Sequence, residues 1–400
     1  MFSSLPLLIL ISLIPPSFSS PHLVFDPSSV SLIPQEKTNF TVSLSEPLEF
    51  DLGVTLKTQE TQDYLQFSPS FLISPNASSV IEVNPTHPVN QVYLEIESCS
   101  VNGTTVNASD CPVDVSSSFA RIRVIRSHPL DVIVDIVGWA YFLAWSISFW
   151  PQIILNFQRK SVIGLNFDFV LLNTIGFASY TVYNSLLFFD REVQSEYISS
   201  FPRSPIPVLL NDVVFAVHAF IACVITGIQA IFLERDNQRV SRICIGWSSI
   251  LVLCGVITSI LAVTSVIRLL TFVDSLSYIK MAVTLSKYFP QAIMNFRRKS
   301  TVGWSIGNIL LDFTGGSLDL LQVALQGFNV ANFSNVIGNP VKFGLGFVSI
   351  VFDIVFMIQH YVLYRGNQVV GEYEEIDEEG VPPLIPLRES IKILILRVKP

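Results

Sequence analysis

Two patterns of apolar and polar positions divide the chain. From 21 to about 127, Ser, Thr, Asn and Pro are frequent and apolar residues recur at period two, as in Phe40-Thr41-Val42-Ser43-Leu44 and Phe119-Ala120-Arg121-Ile122-Arg123-Val124-Ile125. This alternation predicts strands with one covered face, and a stretch of this length encloses a modest core, so a small β-sandwich-like domain is expected over 21–127. From about Leu130 the alternation gives way to seven long apolar runs, near 133–155, 167–188, 209–232, 243–265, 270–294, 304–326 and 343–363. Each is near the ~20 residues a helix needs to cross hydrocarbon. Ahead of both lies a shorter run, 5–14, apolar apart from Ser12, broken by Pro15-Pro16 and followed by Ser17, Ser19 and Ser20. It is too short for a comfortable span and predicts a signal peptide over 1–20, although no Lys or Arg precedes it.

The apolar part contains an internal repeat. Phe149-Trp150-Pro151-Gln152-Ile153-Ile154-Leu155-Asn156-Phe157-Gln158-Arg159-Lys160-Ser161 returns 139 residues later as Tyr288-Phe289-Pro290-Gln291-Ala292-Ile293-Met294-Asn295-Phe296-Arg297-Arg298-Lys299-Ser300. Gly164 and Gly303 keep that offset, as do Gly176 and Gly315. Asp212-Val213-Val214-Phe215 and Asp353-Ile354-Val355-Phe356 supply a third match, offset by 141. Spans one to three therefore match spans five to seven, and the fourth is left over. One extra crossing restores the orientation of a three-span copy, so the repeats are expected to be parallel, with a solute path between them. The expected domains are 130–232 (first three-helix bundle), 243–265 (linker helix), 270–364 (second bundle) and a tail over 365–400.

Composition agrees with a multi-span membrane protein: 50% hydrophobic, 14% charged, mean hydropathy +0.53. The net charge of −8 argues against a nucleic-acid partner. Basic residues set the orientation. Arg159 and Lys160, then Arg235, Arg239 and Arg242, then Arg297, Arg298 and Lys299 fall in alternate loops, which the positive-inside rule assigns to the cytosol. The N-terminus is then lumenal and the C-terminus cytosolic. Acceptor sequons at Asn39, Asn76, Asn102 and Asn107 suit a glycosylated lumenal domain, and a fifth, Asn332, falls on the same side close to the membrane. Of five cysteines, Cys99 and Cys111 lie in the polar part; a bridge between them is expected if that part faces an oxidising lumen, and two unpaired thiols are the alternative.

Charged residues inside the apolar runs carry the candidate chemistry, because lipid hosts them only beside a cavity or a partner. Span five holds Asp274, Lys280 and Lys287; span six holds Asn308, Asp312 and Gly315-Gly316; span three holds Asp212 and His218; span seven holds Asp353 and His360. Lys280 and Asp312 fall near mid-membrane and either pair with each other or handle protons and a charged solute. The proton-coupling candidates are Asp312 first, then Asp353 and Asp212, against a structural Lys–Asp pair as the bland reading. The two histidines are weaker, since a His inside a bundle is often only a packing residue. Asn173 occupies the repeat position of Asp312, which suits one protonation site and one neutral hydrogen-bonding site for substrate; an interhelical amide contact is the alternative. Pro151-Gln152 and Pro290-Gln291 are candidate gating hinges, because proline removes a helix hydrogen bond, and a static packing bend is the alternative. In the tail, Tyr373-Glu374-Glu375-Ile376 has the Tyr-x-x-apolar form of a sorting signal, with Tyr373 and Ile376 as its anchors.

These blocks resemble the cystinosin branch of the PQ-loop family, lysosomal cystine–proton symporters whose architecture is also similar to that of the SWEET sugar transporters. The resemblance runs from about Val137 to Tyr364 and is densest in Gly138 to Phe149, Arg159 to Leu165, Ser277-Tyr278-Ile279-Lys280, and Gly303 through Leu311-Asp312-Phe313-Thr314-Gly315-Gly316. It implies an all-α membrane fold of seven helices, two parallel three-helix bundles joined by a linker helix, behind the β-rich lumenal domain. It implies proton-coupled export of cystine from the lysosome, with Asp312 as the main coupling residue and Asp212 and Asp353 as further family acids. Lys280, Asn173 and Asn308 match positions lining the family's substrate site, and Asn295 completes the expected substrate-binding set. The implied partners are cystine, protons, membrane lipid, a clathrin adaptor at the tail, and the nutrient-sensing proteins and proton pump of the lysosome surface; no cofactor, metal or enzymatic chemistry is expected. The tail departs from the family's usual Gly-Tyr-Asp-Gln-Leu signal. Alternatives are a PQ-loop carrier of another amino acid or small solute, and a lysosomal receptor or scaffold.

Overall fold

The structure, a computed structural model, describes residues 21–58, 64–101, 103–201, 203–204, 206–331 and 340–365. The signal-peptide stretch 1–20, the sequons Asn102 and Asn332, and the tail signal Tyr373 and Ile376 lie outside the described residues. The chain divides into two compact units, one built on 1–134 with 323–338, the other on 135–322 with 339–400.

The first unit holds ten described strands: β1 (Leu23–Asp26), β2 (Ser29–Leu32), β3 (Thr38–Leu44), β4 (Leu52–Thr58), β5 (Leu65–Phe67), β6 (Ser70–Ile73), β7 (Ser79–Pro85), β8 (Val89–Val101), β9 (Thr104–Asn107) and β10 (Phe119–Val124). They form one sheet in the order β1-β3-β7-β5 and another in the order β2-β10-β8-β4-β6, with β9 paired to β8. The alternation in the sequence becomes alternation of burial. Phe40 and Val42 in β3, and Ala120, Ile122 and Val124 in β10, are buried, while their neighbours face outward. The inward faces supply one core around Phe40, Leu52, Ile81, Leu94 and Ile122. Cys99 on β8 is bonded to Cys111, with Cα atoms 5.6 Å apart, which ties the loop after β9 back to the sheet. Asn39, Asn76 and Asn107 are all exposed.

Ten described α-helices follow: α1 (His128–Ser148), α2 (Trp150–Arg159), α3 (Phe167–Phe189), α4 (Arg191–Ser200), α5 (Leu210–Phe232), α6 (Arg242–Val263), α7 (Leu269–Ser286), α8 (Tyr288–Arg298), α9 (Ile306–Asn329) and α10 (Pro340–Ile358), the last continued by a π-helical turn, Gln359–Leu363. Polar caps start several of them. Asn166 Oδ1 accepts from the N–H of Asp168 and Phe169 at α3, Asp190 does the same for Glu192 and Val193 at α4, and Ser241 Oγ accepts from Cys244 N at α6. Pro151 and Pro290 fall just inside α2 and α8, so the helix breaks at Phe149 and at Lys287, immediately before each motif.

Among the described residues, five helical segments are long and apolar enough to cross a membrane: His128–Arg159, Leu210–Phe232, Arg242–Val263, Leu269–Arg298 and Gly346–Leu363. The helices α3 and α9, of 23 and 24 residues, match them in length but fall outside that set, because they carry polar side chains such as Asn173, Asn184, Asp312 and Asp319. The distribution of polarity is inverted relative to a water-soluble bundle. Leu143, Ile154, Ile228, Ile250 and Ile257 face outward, whereas Gln152, Asn156, Gln291, Asn295, Asp353 and Gln359 are buried. Outward apolar surface over internal polar contacts is the arrangement lipid demands of a multi-pass membrane protein.

The repeat is real at its first two landmarks and mistaken at its third. Asp212 lies in the first turn of α5, whereas Asp353 lies deep in α10, so the two are not equivalent. The stretch between α3 and α5, which holds α4, is longer than the stretch between α9 and α10, and beyond it the offset falls: Gln229 and Gln359 make the same contacts in the two copies, 130 residues apart. The likeness of Asp212-Val213-Val214-Phe215 to Asp353-Ile354-Val355-Phe356 is local composition, not position.

Candidate functional site: a charged cavity above interlocked Pro-Gln motifs

The two repeat copies grip each other through their glutamines. Gln152 Nε2 donates to Gly303 O at 3.0 Å, and Gln152 Oε1 accepts from Ser305 N at 2.8 Å. Reciprocally, Gln291 Nε2 donates to Gly164 O at 3.0 Å, and Gln291 Oε1 accepts from Asn166 N at 2.7 Å. Each glutamine also donates to the asparagine one turn on, Asn156 or Asn295, at 2.8 Å. Between the two ties, Gly164 (φ +104°) and Gly303 (φ +89°) meet back to back; a Cβ on Gly164 would strike Val302 O, and one on Gly303 would strike Ile163 O. Only glycine satisfies both the positive φ and the close approach. Arg159 and Arg298 close the same loops by donating to Ile163 O and Val302 O, each at 3.1 Å. The Pro-Gln motifs are thus ties across the repeat boundary as well as sites of helix interruption.

Beyond this seal lies a cavity of about 630 Å³, within the range of small-molecule sites. Gln152, Leu165 and Trp304 line it near the Pro-Gln end, and Pro207, Val208 and Asp212 line it at the opposite end, where α5 begins. Lys280, Lys287, Asn173, Asn308 and Asp312 line its middle. Among the described residues Lys280 has no carboxylate within ion-pair distance; of the two alternatives, the Lys280–Asp312 pair is not formed. Its Nζ sits instead 3.6 Å from the centre of the Phe177 ring and 5.7 Å from that of Tyr180, where ring faces replace a counter-ion. Lys287 donates to Asn173 Oδ1 at 3.0 Å and lies over Tyr288 at 4.6 Å. Asn173 Nδ2 donates to Cys223 Sγ at 3.2 Å. Asp312 Oδ2 accepts from Tyr288 OH and Ser349 Oγ, each at 3.3 Å, and those two hydroxyls are 2.7 Å apart. Asp353, one turn past Ser349, is fully buried, and neither of its carboxyl oxygens has a hydrogen-bond partner among the described residues.

The structure brings Asp312, Asp212, Lys280, Asn173 and Asn308 to one cavity. Asp212 also caps its helix, accepting from Leu209 N at 2.8 Å. Asn295 is elsewhere: it is fully buried beneath the seal, accepts from Gln291 and donates to Gln359 Oε1 at 3.0 Å, so both ends of its amide are engaged away from the cavity. Residues that sequence reasoning left outside the site include Lys287, Tyr288, Phe177 and Asp319, all of which line the cavity. A signal existed for two of them. Lys287 is seven residues after Lys280, and Asp319 seven after Asp312, so each pair shares a helix face two turns apart. For Tyr288 and Phe177 there was none, since an aromatic in an apolar run reads as lipid-facing or core.

A polar, charged cavity enclosed by outward-apolar helices, above two interlocked Pro-Gln motifs, defines a membrane carrier of the PQ-loop class. The family model described as the PQ loop repeat matches the chain twice, over 133–192 and 272–332. A cystinosin homolog of Caenorhabditis elegans is 48% identical over 371 residues, 92% of this chain and 91% of its own length. The cystinosin of Drosophila melanogaster is 41% identical over 390 residues, 95% of this chain and 96% of its own. A cystine transporter of Saccharomyces cerevisiae is 30% identical over 259 residues, 60% of this chain and 97% of its own. The chain belongs to the cystinosin family, a family of PQ-loop transporters and not of enzymes.

Proposed function

We propose that the protein carries cystine together with protons from an acidic lumen, that of the lysosome, to the cytosol, by alternating access through seven membrane spans. Cystine is a double zwitterion with two carboxylates and two ammonium groups. The cavity offers two cations, Lys280 and Lys287, and three acids, Asp212, Asp312 and Asp319, and that balance of charge is the observation that carries the reading. The cystine transporter of yeast, which this chain matches over nearly the whole yeast length, supports the substrate.

In this reading Asp312 competes with the substrate for the lysines. Ionised, it holds their field; protonated from the acidic side, it leaves Lys280 and Lys287 to the cystine carboxylates, so proton and substrate bind together. Tyr288 and Ser349 orient the carboxyl that takes the proton. Asp353, fully buried and with neither carboxyl oxygen partnered among the described residues, is the second proposed proton site. Asp212 stands where the cavity meets the start of α5 and is the outermost of the proposed coupling acids. Asn173 and Asn308 supply neutral hydrogen bonds to substrate. Basic loops assign the Pro-Gln end to the cytosol, so the interlocked state is the one closed to the cytosol. The sandwich is then lumenal and glycosylated, and the tail carries the sorting signal that engages a clathrin adaptor; nutrient-sensing proteins and the proton pump are proposed neighbours.

Purified protein in liposomes tests the reading. Saturable uptake of labelled cystine, accelerated when the outside is acidified and lost in Asp312→Asn, is the expected result. Binding of cystine without flux would favour a receptor, and flux of other amino acids in preference to cystine would move the reading to another solute.

A further inference from the structure

Beneath the seal, each gate glutamine continues into a second-helix glutamine through the same asparagine. In the first copy, Gln152 Nε2 donates to Asn156 Oδ1 (2.8 Å), Asn156 Nδ2 donates to Gln229 Oε1 (2.9 Å), and Gln229 Nε2 donates to Ile153 O (3.0 Å). In the second, Gln291 Nε2 donates to Asn295 Oδ1 (2.8 Å), Asn295 Nδ2 donates to Gln359 Oε1 (3.0 Å), and Gln359 Nε2 donates to Ala292 O (3.0 Å). Donors and acceptors run in the same direction in both chains. Gln152, Asn156, Gln291, Asn295 and Gln359 are buried, where an amide left unpaired is costly. The pattern survives an insertion that shifts the sequence offset between the copies, so it is held by geometry and not by local sequence. In the second copy the terminal glutamine opens the π-helical turn Gln359–Leu363 that closes the helix after α10.

We propose that Gln229 and Gln359 are positioning residues of the gate: each fixes the amide orientation of its asparagine, which in turn aims the gate glutamine at the opposite repeat. An asparagine whose Nδ2 is committed to Gln229 or Gln359 presents Oδ1 to the gate glutamine. That glutamine's Nε2 is then held toward both Oδ1 and the facing glycine carbonyl, and its Oε1 toward the facing N–H. Remove the relay and the asparagine is free to flip, the gate glutamine loses one of its fixed orientations, and the closed Pro-Gln end is weakened. The relay also links the far ends of α5 and α10 to the gate, so movement of either helix is felt at the seal. This inference rests on the reading of the Pro-Gln end as a gate.

The test is a distance measurement on the full-length protein in lipid. Spin labels are placed at Gln158→Cys and Arg297→Cys, exposed and at matching repeat positions on α2 and α8, with the exposed Cys254 replaced and the buried Cys223 and Cys244 kept. Wild type is expected to show a short-distance population and a longer one whose ratio responds to cystine and pH. Gln229→Met and Gln359→Met are each expected to shift that ratio toward the longer distance by about threefold to tenfold, the net worth of one internal hydrogen bond. A double-mutant cycle separates positioning from loss of fold: in an Asn156→Leu background, adding Gln229→Met should change the ratio no further, because the relay acts only through Asn156. A ratio that responds to cystine and pH in wild type but ignores both glutamine variants overturns the relay. So does a full additional effect of Gln229→Met on top of Asn156→Leu. A wild-type distance that never changes overturns the gate itself, and the relay with it.

Discussion

At the scale of single residues, the site is a matter of what each charge meets. Lys280 rests on the Phe177 ring, Lys287 on the Asn173 amide and the Tyr288 face, and Asp312 on two hydroxyls. Among the described residues neither cavity lysine, Lys280 or Lys287, forms an ion pair with Asp312; aromatic faces and an amide hold them instead. Asp319 lies two turns from Asp312 on α9, on the cavity wall, with its Oδ2 3.7 Å from where a Cβ on Gly346 would sit. Asp319→Asn is expected to raise the half-saturating cystine concentration about tenfold, as for loss of one charge-assisted hydrogen bond, while leaving the maximal rate and its pH dependence in place; uptake kinetics at fixed acidic pH check this. Phe177→Leu removes the ring beneath Lys280 and is expected to lower the rate several-fold at unchanged protein level, measured in the same assay. The sequence showed the unusual residues, charges and amides in apolar runs, because they stand out against lipid. It did not show the aromatic residues that receive them, because Phe and Tyr are ordinary in such runs. It misplaced Asn295, since an amide beside a Pro-Gln motif looks the same whether it faces a cavity or a buried glutamine.

At the scale of elements, spacing carried as much as composition. The apolar runs foretold the long helices closely, and the helix breaks fall immediately before each Pro-Gln pair, where proline's missing N–H makes a break least costly. What spacing could not foretell is that the longer stretch between α3 and α5 displaces the register of α5 against α10, so that Asp212 and Asp353 part company. Gly164 and Gly303 show the same limit: their shared offset was visible, but their back-to-back approach needs the fold. Gly164→Ala and Gly303→Ala are each expected to destabilise the protein by about 1–3 kcal/mol or more, from strain at positive φ and collision with a facing carbonyl. Gly227→Ala, in α5 with open space around it, is the control and is expected to be neutral or slightly stabilising. Thermal unfolding of the purified variants ranks the three. In the sandwich, Asp114 accepts from Ser116 N at 2.9 Å, Ser116 Oγ at 2.6 Å and Ser117 Oγ at 2.8 Å, and these bonds hold its carboxyl below the usual carboxylate range despite partial desolvation. A lowered folded value stabilises above the ordinary Asp range and is lost as pH falls through the lowered value. The Asp114 turn is therefore expected to stay closed at about pH 5 and to open only below about pH 4, read by hydrogen exchange at Ser116 and Ser117.

At the scale of the whole molecule, a chain with outward apolar helices and a polar interior is a membrane protein by physics and a member of the cystinosin family by its relatives. Its two Pro-Gln copies, easily seen as sequence, act as one structure only because each glutamine reaches into the other copy. Under the proposed coupling, each proton carried with a substrate that is neutral overall would move one positive charge, worth about 2.3 kcal/mol per 100 mV of membrane potential. The most direct measurement is electrical. Tyr373 and Ile376 are replaced to bring the protein to the cell surface, the cell is voltage-clamped, and cystine is added outside at about pH 5.5, below the neutral range where His titrates. The account predicts an inward current that saturates with cystine, vanishes at neutral pH and is absent in Asp312→Asn. No current with protein present at the surface would contradict proton-coupled cystine transport, and a current unchanged in Asp312→Asn would contradict the assignment of the coupling proton to that residue.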